Sequence, residues 1–152
     1  MMKFVRIALF AAACGLLPLS ASAAQATKAD AEGIVQKAVA FATKNGDDKL
    51  VAEVNKKDGP FNQGDLYVVV FDKTGTVLAH PVTPSLVGKN QVAEPDADGK
   101  LFRKEILEVA DKQGSGWVNY KYKNPTNGEV QAKTSYVKKQ GSLIIIAGAY
   151  VK

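Results

Sequence analysis

The hydrophobic positions change their period along the chain, and each period predicts one type of element. They recur at the spacing of a helix face from Ala29 to Lys44, and again over a shorter stretch from Asp47 to Lys56. Further on, runs of β-branched and aromatic residues between glycine-containing turns indicate strands, interrupted by a third helical stripe. The predicted strands are Leu66–Phe71, Thr76–His80, Trp117–Lys123, Val130–Lys138 and Leu143–Val151, and the third helix is Lys100–Gln113.

This order of elements predicts an α+β fold with a five-stranded antiparallel sheet flanked by helices. The last strand is apolar without alternation, so we expect it at the centre of the sheet, covered on both faces. Residues 81–98 contain three prolines and predict a long irregular connection, a feature that often covers a functional pocket. Within it, Asp96-Ala97-Asp98-Gly99 resembles the start of a calcium loop, but the later acidic ligands are missing. An ordinary turn before the third helix is expected there.

The first 23 residues have the pattern of a secretory signal peptide. Lys3 and Arg6 precede an apolar run, which ends at the cleavage motif Ala21-Ser22-Ala23. Cleavage after Ala23 leaves a single domain, residues 24–152, which we expect in the periplasm. Cys14 is an alternative site of lipid attachment, although the apolar run continues past it. The mature chain contains no cysteine and therefore forms no disulfide.

Composition and charge argue against several classes of function. The chain has 20 basic and 15 acidic residues, and losing Lys3 and Arg6 lowers its net charge from +5 to +3. The remaining charge is scattered, with Arg103 as the one mature arginine, so we expect no nucleic-acid partner. The mature chain has one histidine, no zinc-ligand spacing and no glycine-rich phosphate loop. We therefore expect no enzyme, resident metal or cofactor, with an unrecognised hydrolase as the remaining catalytic alternative.

The strand pairing predicts which polar side chains meet. If the loop between the third and fourth strands is centred on Thr126 and Asn127, residues whose numbers sum to 253 face each other. The resulting pairs are Tyr120–Lys133, Tyr122–Gln131 and Val118–Ser135. One face of this hairpin then presents two phenols, an ammonium group, an amide and a hydroxyl.

The first hairpin offers a second polar pair. A four-residue turn from Asp72 to Gly75 places Tyr67 opposite His80. Each polar side chain also has an ordinary structural explanation, because strand tyrosines and lysines often supply packing area or discourage edge pairing. His80 could equally bond the backbone of the following loop. Trp117 points away from the Tyr120 face and is expected to pack under a helix.

Several segments, taken in order, resemble a single Cache domain of the second type. They are Asp65-Leu66-Tyr67-Val68-Val69-Val70, Ala79-His80-Pro81, Leu86-Val87-Gly88-Lys89-Asn90, Gly116-Trp117-Val118-Asn119-Tyr120, Asn124-Pro125, residues 133–137 and Ala147-Gly148-Ala149-Tyr150. The resemblance implies a PAS-like extracytoplasmic sensor, with a long N-terminal helix on one face of the sheet and a ligand pocket on the other. Many such domains bind short carboxylates. They usually sit between membrane helices, whereas this sequence stops at Lys152, so the resemblance implies ligand binding rather than direct transmembrane signalling.

These observations predict a stand-alone periplasmic domain that binds a short organic acid and serves signal transduction or ligand delivery. A membrane receptor or histidine kinase is the expected partner, and the oligomeric state is left open. A carboxylate taken out of water needs a cation and several donors, with Lys133 as the expected source of charge. The expected ligand-binding residues are Tyr67, His80, Lys89, Tyr120, Tyr122 and Lys133.

The alternative is a PAS-like interaction module that binds no small molecule and contacts a membrane receptor through its sheet or first helix. The two hypotheses differ in the interior beside Tyr120 and Lys133. A ligand-binding domain has a cavity lined by polar groups there, whereas an interaction module has an interior filled by side chains.

Overall fold

The computed structural model describes residues 24–151, so the predicted signal peptide and Cys14 lie outside the described residues. The helices are α1 (Lys28–Asn45), α2 (Asp47–Val54) and α3 (Phe102–Gln113). The strands are β1 (Asn62–Gln63), β2 (Leu66–Asp72), β3 (Val77–Ala79), β4 (Ser115–Lys123), β5 (Val130–Gln140) and β6 (Leu143–Val151). A short 3-10 turn at Pro84–Leu86 lies in the long connection between β3 and α3. None of the helices in this part of the chain is long and apolar enough to cross a membrane.

The long first helix is fixed at its start by a reciprocal capping box. The Thr27 hydroxyl accepts a hydrogen bond from the Asp30 amide at 3.2 Å, and the Asp30 carboxylate accepts one from the Thr27 amide at 2.8 Å. The buried face of α1 consists of Ala31, Ile34, Val35, Ala38 and Ala42. It packs on the sheet together with α2, as the apolar spacing of both segments predicts.

The sheet is antiparallel and its strand order is β1-β2-β6-β5-β4, with β3 also paired to β2. The prediction that β6 lies centrally is confirmed, since every residue from Leu143 to Tyr150 is buried. All five predicted strands are present as β2 to β6, and the sheet contains one strand more. The additional strand, β1, pairs Asn62 with Tyr67 and is only two residues long, too short to leave a hydrophobic pattern.

The β4–β5 hairpin has the predicted register, with Tyr120 opposite Lys133 and Val118 opposite Ser135. The predicted register of the first hairpin is wrong, because the structure pairs Val70 with Ala79 and places His80 beyond the end of β3.

The cause lies in the turn between β2 and β3. The Asp72 carboxylate accepts hydrogen bonds from the amides of Thr74 and Thr76 at 2.8 and 2.9 Å. Gly75 adopts φ +87°, and the strands are further offset by an irregularity beside Val70. The turn therefore takes in one more residue than the sequence predicts.

The sheet separates two hydrophobic cores. On one face, α1 and α2 cover strand residues such as Val68 and Ile145, and Trp117 packs there beside Tyr136, as expected. On the other face, the core combines α3 with residues of β2 to β6, including Val118 and Ile146. The second face also carries the predicted polar side chains of β4 and β5.

Candidate ligand-binding site

A small cavity lies between the sheet and the first two turns of α3. The space open to the centre of a water molecule is about 30 Å³, enough for roughly two or three waters. Its apolar walls include Val69, Phe71 and Ile146, and Leu86 of the long connection closes one side. Its polar lining consists of Tyr67, His80, Arg103, Tyr120, Tyr122, Lys133 and Ser135. No aspartate or glutamate lines this cavity within the described chain.

The cavity brings together five of the predicted site residues, namely Tyr67, His80, Tyr120, Tyr122 and Lys133. Lys89 does not belong to it. The Lys89 side chain is exposed, and its backbone carbonyl accepts a hydrogen bond from the Val77 amide at 3.0 Å. The expectation that Lys89 is a ligand-binding residue is therefore corrected, because the backbone pairing between the long connection and β3 leaves this side chain in solvent.

The Lys133 ammonium group lies deep in the site. The residue is 4% exposed, and its Nζ lies 4.0 Å from the centre of the Tyr67 ring and 4.5 Å from that of Tyr150. Its side chain donates a long hydrogen bond of 3.5 Å to the Tyr150 hydroxyl. All salt bridges among residues 24–151 involve other lysines, so Lys133 has no carboxylate partner in this part of the chain. Burial lowers the pKa of Lys133 to about 7, and the negative charge of Asp65 opposes this shift.

Gly148 on β6 makes room for this lysine. A Cβ atom at position 148 would lie 2.9 Å from Cε of Lys133 and 2.7 Å from the carbonyl oxygen of Thr134. It would approach the Ser135 hydroxyl more closely still. The missing side chain therefore lets the Lys133 stem pass over β6 toward the cavity.

Arg103 in the first turn of α3 is a second cation of the cavity, and the sequence analysis missed it. It is 8% exposed and lies over the Phe102 ring at 4.3 Å. Within the described part of the chain its guanidinium donates one hydrogen bond, to the Glu94 carbonyl oxygen at 3.4 Å. A signal was present in the sequence, since Arg103 lies three residues before Ile106 and seven before Ala110, on the buried side of the helix.

His80 makes a hydrogen bond to the following loop and also lines the cavity. Its Nδ1 accepts a hydrogen bond from the Thr83 amide at 3.0 Å, while its ring lines the cavity 5.5 Å from the Tyr67 ring. Burial, together with the charges of Lys133 and Arg103, lowers the pKa of His80 to about 4. The imidazole is therefore neutral near pH 7, and because Nδ1 is an acceptor, its proton is on Nε2.

The tyrosine hydroxyls are neutral hydrogen-bonding groups. Tyr120 stacks on Phe102 at 4.1 Å, and its hydroxyl bonds Ser135 Oγ at 2.8 Å. Burial raises the pKa values of Tyr67 and Tyr120, and that of Tyr150 to about 12. The cavity therefore offers phenol protons as donors while carrying two cations.

Asp96 links the long connection to β4 through hydrogen bonds. Its carboxylate accepts hydrogen bonds from the amides of Lys100 and Lys121, both at 2.8 Å. This geometry is the predicted turn before α3, joined here to β4. Within residues 24–151, no three His, Cys, Asp or Glu side chains are grouped as a metal site requires.

The model of the family described as Single Cache domain 2 matches residues 21–152. The chain belongs to this family. The methyl-accepting chemotaxis protein McpP of Pseudomonas putida is 35% identical over 89 residues, covering 57% of this chain and 16% of the receptor. The sensor histidine kinase MctS of Rhizobium johnstonii is 33% identical over 73 residues, covering 48% of this chain and 16% of the kinase. The Cache domain thus matches about a sixth of the length of these signalling proteins.

A solved Cache chemosensory domain, studied for its recognition of carboxylic acids, has a similar structure. It is 25% identical to this chain, with a TM-score of 0.63, and the match covers 80% of this chain and 86% of the other. The expected α+β, PAS-like Cache fold is thereby confirmed, with its N-terminal helix on one face of the antiparallel sheet.

The ligand-free Cache domain is expected to gain stability as pH rises through two separate windows. His80 and Lys133 have folded-state pKa values below their ordinary values of 6.5 and 10.5. The unfolded chain therefore binds more protons than the native state between about pH 4 and 6.5, because of His80, and between about pH 7 and 10.5, because of Lys133. In both pH ranges the free energy of unfolding rises with pH. Chemical denaturation at a series of pH values measures both rises.

The variant Lys133→Met provides the matched control for the upper window. In this variant the free energy of unfolding should no longer rise above pH 7, but the rise between about pH 4 and 6.5 due to His80 should remain. A wild-type stability that is flat or falls between pH 7 and 9 would contradict the burial of an uncompensated lysine.

Proposed function

We propose that this Cache domain is a periplasmic sensor whose cavity binds a short carboxylate. The observation that carries the proposal is the presence of Lys133 and Arg103 in a cavity without an acidic lining residue. A buried cation that lacks a counter-ion costs free energy, and an anionic ligand would offset that cost. The structural similarity to a domain studied for carboxylic acid recognition supports the same ligand class.

The remaining groups of the cavity suit a small acid. A carboxylate needs directional donors besides its cation, and the Tyr120 hydroxyl and His80 Nε2–H border the same space. The apolar wall formed by Val69 and Ile146 suits a short alkyl group. A ligand of about five heavy atoms, at no better than about −1.5 kcal/mol per atom, reaches roughly −8 kcal/mol. Micromolar affinity is therefore the expected upper range.

The polar lining of the cavity favours ligand binding over the interaction-module hypothesis, which requires an interior filled by side chains. The empty space is only about 30 Å³, so the walls of the cavity have to move apart to admit a ligand of about five heavy atoms. The similarity to a chemotaxis receptor and a histidine kinase supports a role in signal transduction. We infer that a receptor or kinase of this kind is the partner that reads ligand occupancy.

A panel of short acids should raise the melting temperature of the mature domain for at least one member. Acetate, lactate and pyruvate are the first choices, with hexanoate as a longer acid that the cavity should exclude. At a hundredfold excess over Kd, a ligand that binds only the native state adds about 2.7 kcal/mol. For a domain of this size the expected rise is about 10 °C.

Sodium chloride at equal ionic strength is the control, because any anion screens repulsion in a basic protein. Shifts that are the same for all acids and no larger than the chloride shift would contradict the proposal. The interaction-module hypothesis would then take its place.

We also propose that the chain is exported and processed after Ala23. The side-chain amide of Gln25, two residues after this site, donates to the Tyr150 carbonyl oxygen at 2.7 Å, so the folded contacts begin close to the proposed cleavage point. The intact mass of the protein from a periplasmic extract should match a chain that begins at Ala24. A mass that begins at a lipid-modified Cys14 would place the protein on a membrane instead.

A further inference from the structure

Part of the cavity wall has to move before a ligand enters, because the empty space is only about 30 Å³. Three parts of the fold form this wall, namely the strands of the sheet, helix α3 and the long connection after β3. The strands are paired residue by residue, β2 with β6, β6 with β5 and β5 with β4. Separating them would break several backbone hydrogen bonds together, so the sheet is the rigid side of the cavity.

Helix α3 is also held firmly. Its residues Phe102, Ile106 and Ala110 are buried in the core on this face of the sheet. The turn before it is tied to β4, since the Asp96 carboxylate accepts a hydrogen bond from the Lys121 amide at 2.8 Å. Lifting α3 would therefore expose part of the core and break a link to the sheet.

Residues 84–87 of the long connection are attached more weakly. Pro84, Ser85 and Val87 are exposed, and Leu86 is the member of this stretch that lines the cavity. In the part of the chain that the structure describes, the backbone hydrogen bonds of this stretch go to residues of the connection itself, and none reaches the sheet or α3. A segment with few buried contacts opens at a lower free energy than the packed elements around it.

Both ends of the weakly attached stretch are anchored. Before it, the Thr83 amide donates a hydrogen bond to His80 Nδ1 at 3.0 Å. After it, the Gly88 amide donates one to the Val77 carbonyl oxygen at 2.8 Å. Gly88 adopts φ +81°, and a Cβ atom there would meet nothing within 4 Å. A glycine in open space can absorb a change of backbone angles, so Gly88 suits a hinge.

We propose that the 3-10 turn Pro84–Leu86 is the gate of the cavity and that the Leu86 side chain is its plug. This inference rests on the proposed function, because it describes how a ligand reaches the site. Opening the gate withdraws one half-buried leucine and breaks no hydrogen bond to the sheet or to α3. Leu86 thereby determines how fast a small molecule enters.

The labelling rate of a single cysteine behind the gate tests the proposal. Residues 24–152 contain no cysteine, and Ser135 lines the cavity and is fully buried, so Ser135→Cys supplies one thiol there. Methyl methanethiosulfonate is a small, uncharged reagent, and its entry therefore does not depend on a carboxylate site. Adding Leu86→Ala should raise the labelling rate about tenfold, because the smaller plug loses apolar burial in the closed state.

Ala38→Cys is the matched control, because Ala38 is fully buried under α1 on the opposite face of the sheet. Its labelling rate should not change with Leu86→Ala. Low concentrations of urea should accelerate labelling of Ala38→Cys steeply and that of Ser135→Cys very little, since an opened gate exposes little surface. Val69→Cys, which also lies in the cavity wall, is the second reporter if Ser135→Cys does not fold.

Labelling of the cavity thiol that is unchanged by Leu86→Ala, or that depends on urea as steeply as Ala38→Cys, would overturn the gate. Saturating acetate should slow labelling of Ser135→Cys, which separates this inference from the proposed function. If acetate slows labelling but Leu86→Ala has no effect, the gate fails and the carboxylate site stands. If Leu86→Ala accelerates labelling and no acid of the panel slows it, the gate stands and the proposed ligand class fails.

Discussion

Replacing Lys133 by methionine is expected to stabilise the ligand-free domain while it weakens the binding of short acids. Methionine keeps the length of the side chain but removes a cation that is 4% exposed and has no carboxylate partner among residues 24–151. Removing this desolvation cost should raise the free energy of unfolding by about 1 kcal/mol or more, partly offset by the lost cation–π contacts. Loss of the charge-assisted hydrogen bond should cost about 2 kcal/mol of binding, or roughly thirtyfold in Kd.

Opposite changes in stability and affinity are the signature of a residue kept for ligand binding. Chemical denaturation measures the first quantity and isothermal titration calorimetry the second. Lys89→Met is the matched control, since Lys89 is an exposed lysine outside the cavity and its replacement should change neither quantity measurably. If Lys133→Met binds acids with unchanged affinity, or if it destabilises the ligand-free protein, Lys133 serves packing instead.

Gly148→Ala is expected to destabilise the domain by about 2 kcal/mol and to weaken acid binding. The added methyl group would lie 2.7 Å from the Thr134 carbonyl oxygen and 2.9 Å from Lys133 Cε. The backbone of the neighbouring central strand cannot yield easily, so the Lys133 stem and Ser135 should move. Thermal unfolding and acid titration of the variant measure the two effects.

Gly33→Ala is the control for this substitution. Gly33 is exposed within α1, and a Cβ atom there would meet nothing within 4 Å. Alanine should therefore stabilise the helix by about 0.5–1 kcal/mol and leave binding unchanged. A Gly148→Ala variant that matches the wild type in both stability and affinity would contradict the close approach of β5 and β6 at the cavity.

The sequence predicts best those parts of the site that depend on local periodicity. The β4–β5 hairpin has a regular alternation and a symmetric loop, so simple pairing brings Tyr120 opposite Lys133. The first hairpin fails the same rule because the Asp72 side chain reorganises its turn. That hydrogen-bonding pattern is one of several that the same residues allow.

Arg103, which the sequence does not assign to the cavity, and Lys89, which it wrongly assigns to the site, have a different explanation. Arg103 belongs to the cavity because α3 packs its buried side over the sheet, and the orientation of a helix on a sheet is a tertiary property. Lys89 was assigned from its place in a loop near the expected pocket, but the backbone pairing of that loop with Val77 decides where the side chain goes. Long connections carry little periodic signal, so their side-chain directions cannot be derived from the sequence.

A crystal structure of the mature domain grown with saturating acetate tests the central claim most directly. Acetate is the smallest acid of the proposed panel. We expect its carboxylate in the cavity between β5 and α3, within about 2.7–2.9 Å of Lys133 Nζ or the Arg103 guanidinium. An acetate-free cavity filled by side chains, or acetate bound only elsewhere on the surface, would contradict the proposal that these two cations form a carboxylate sensor site.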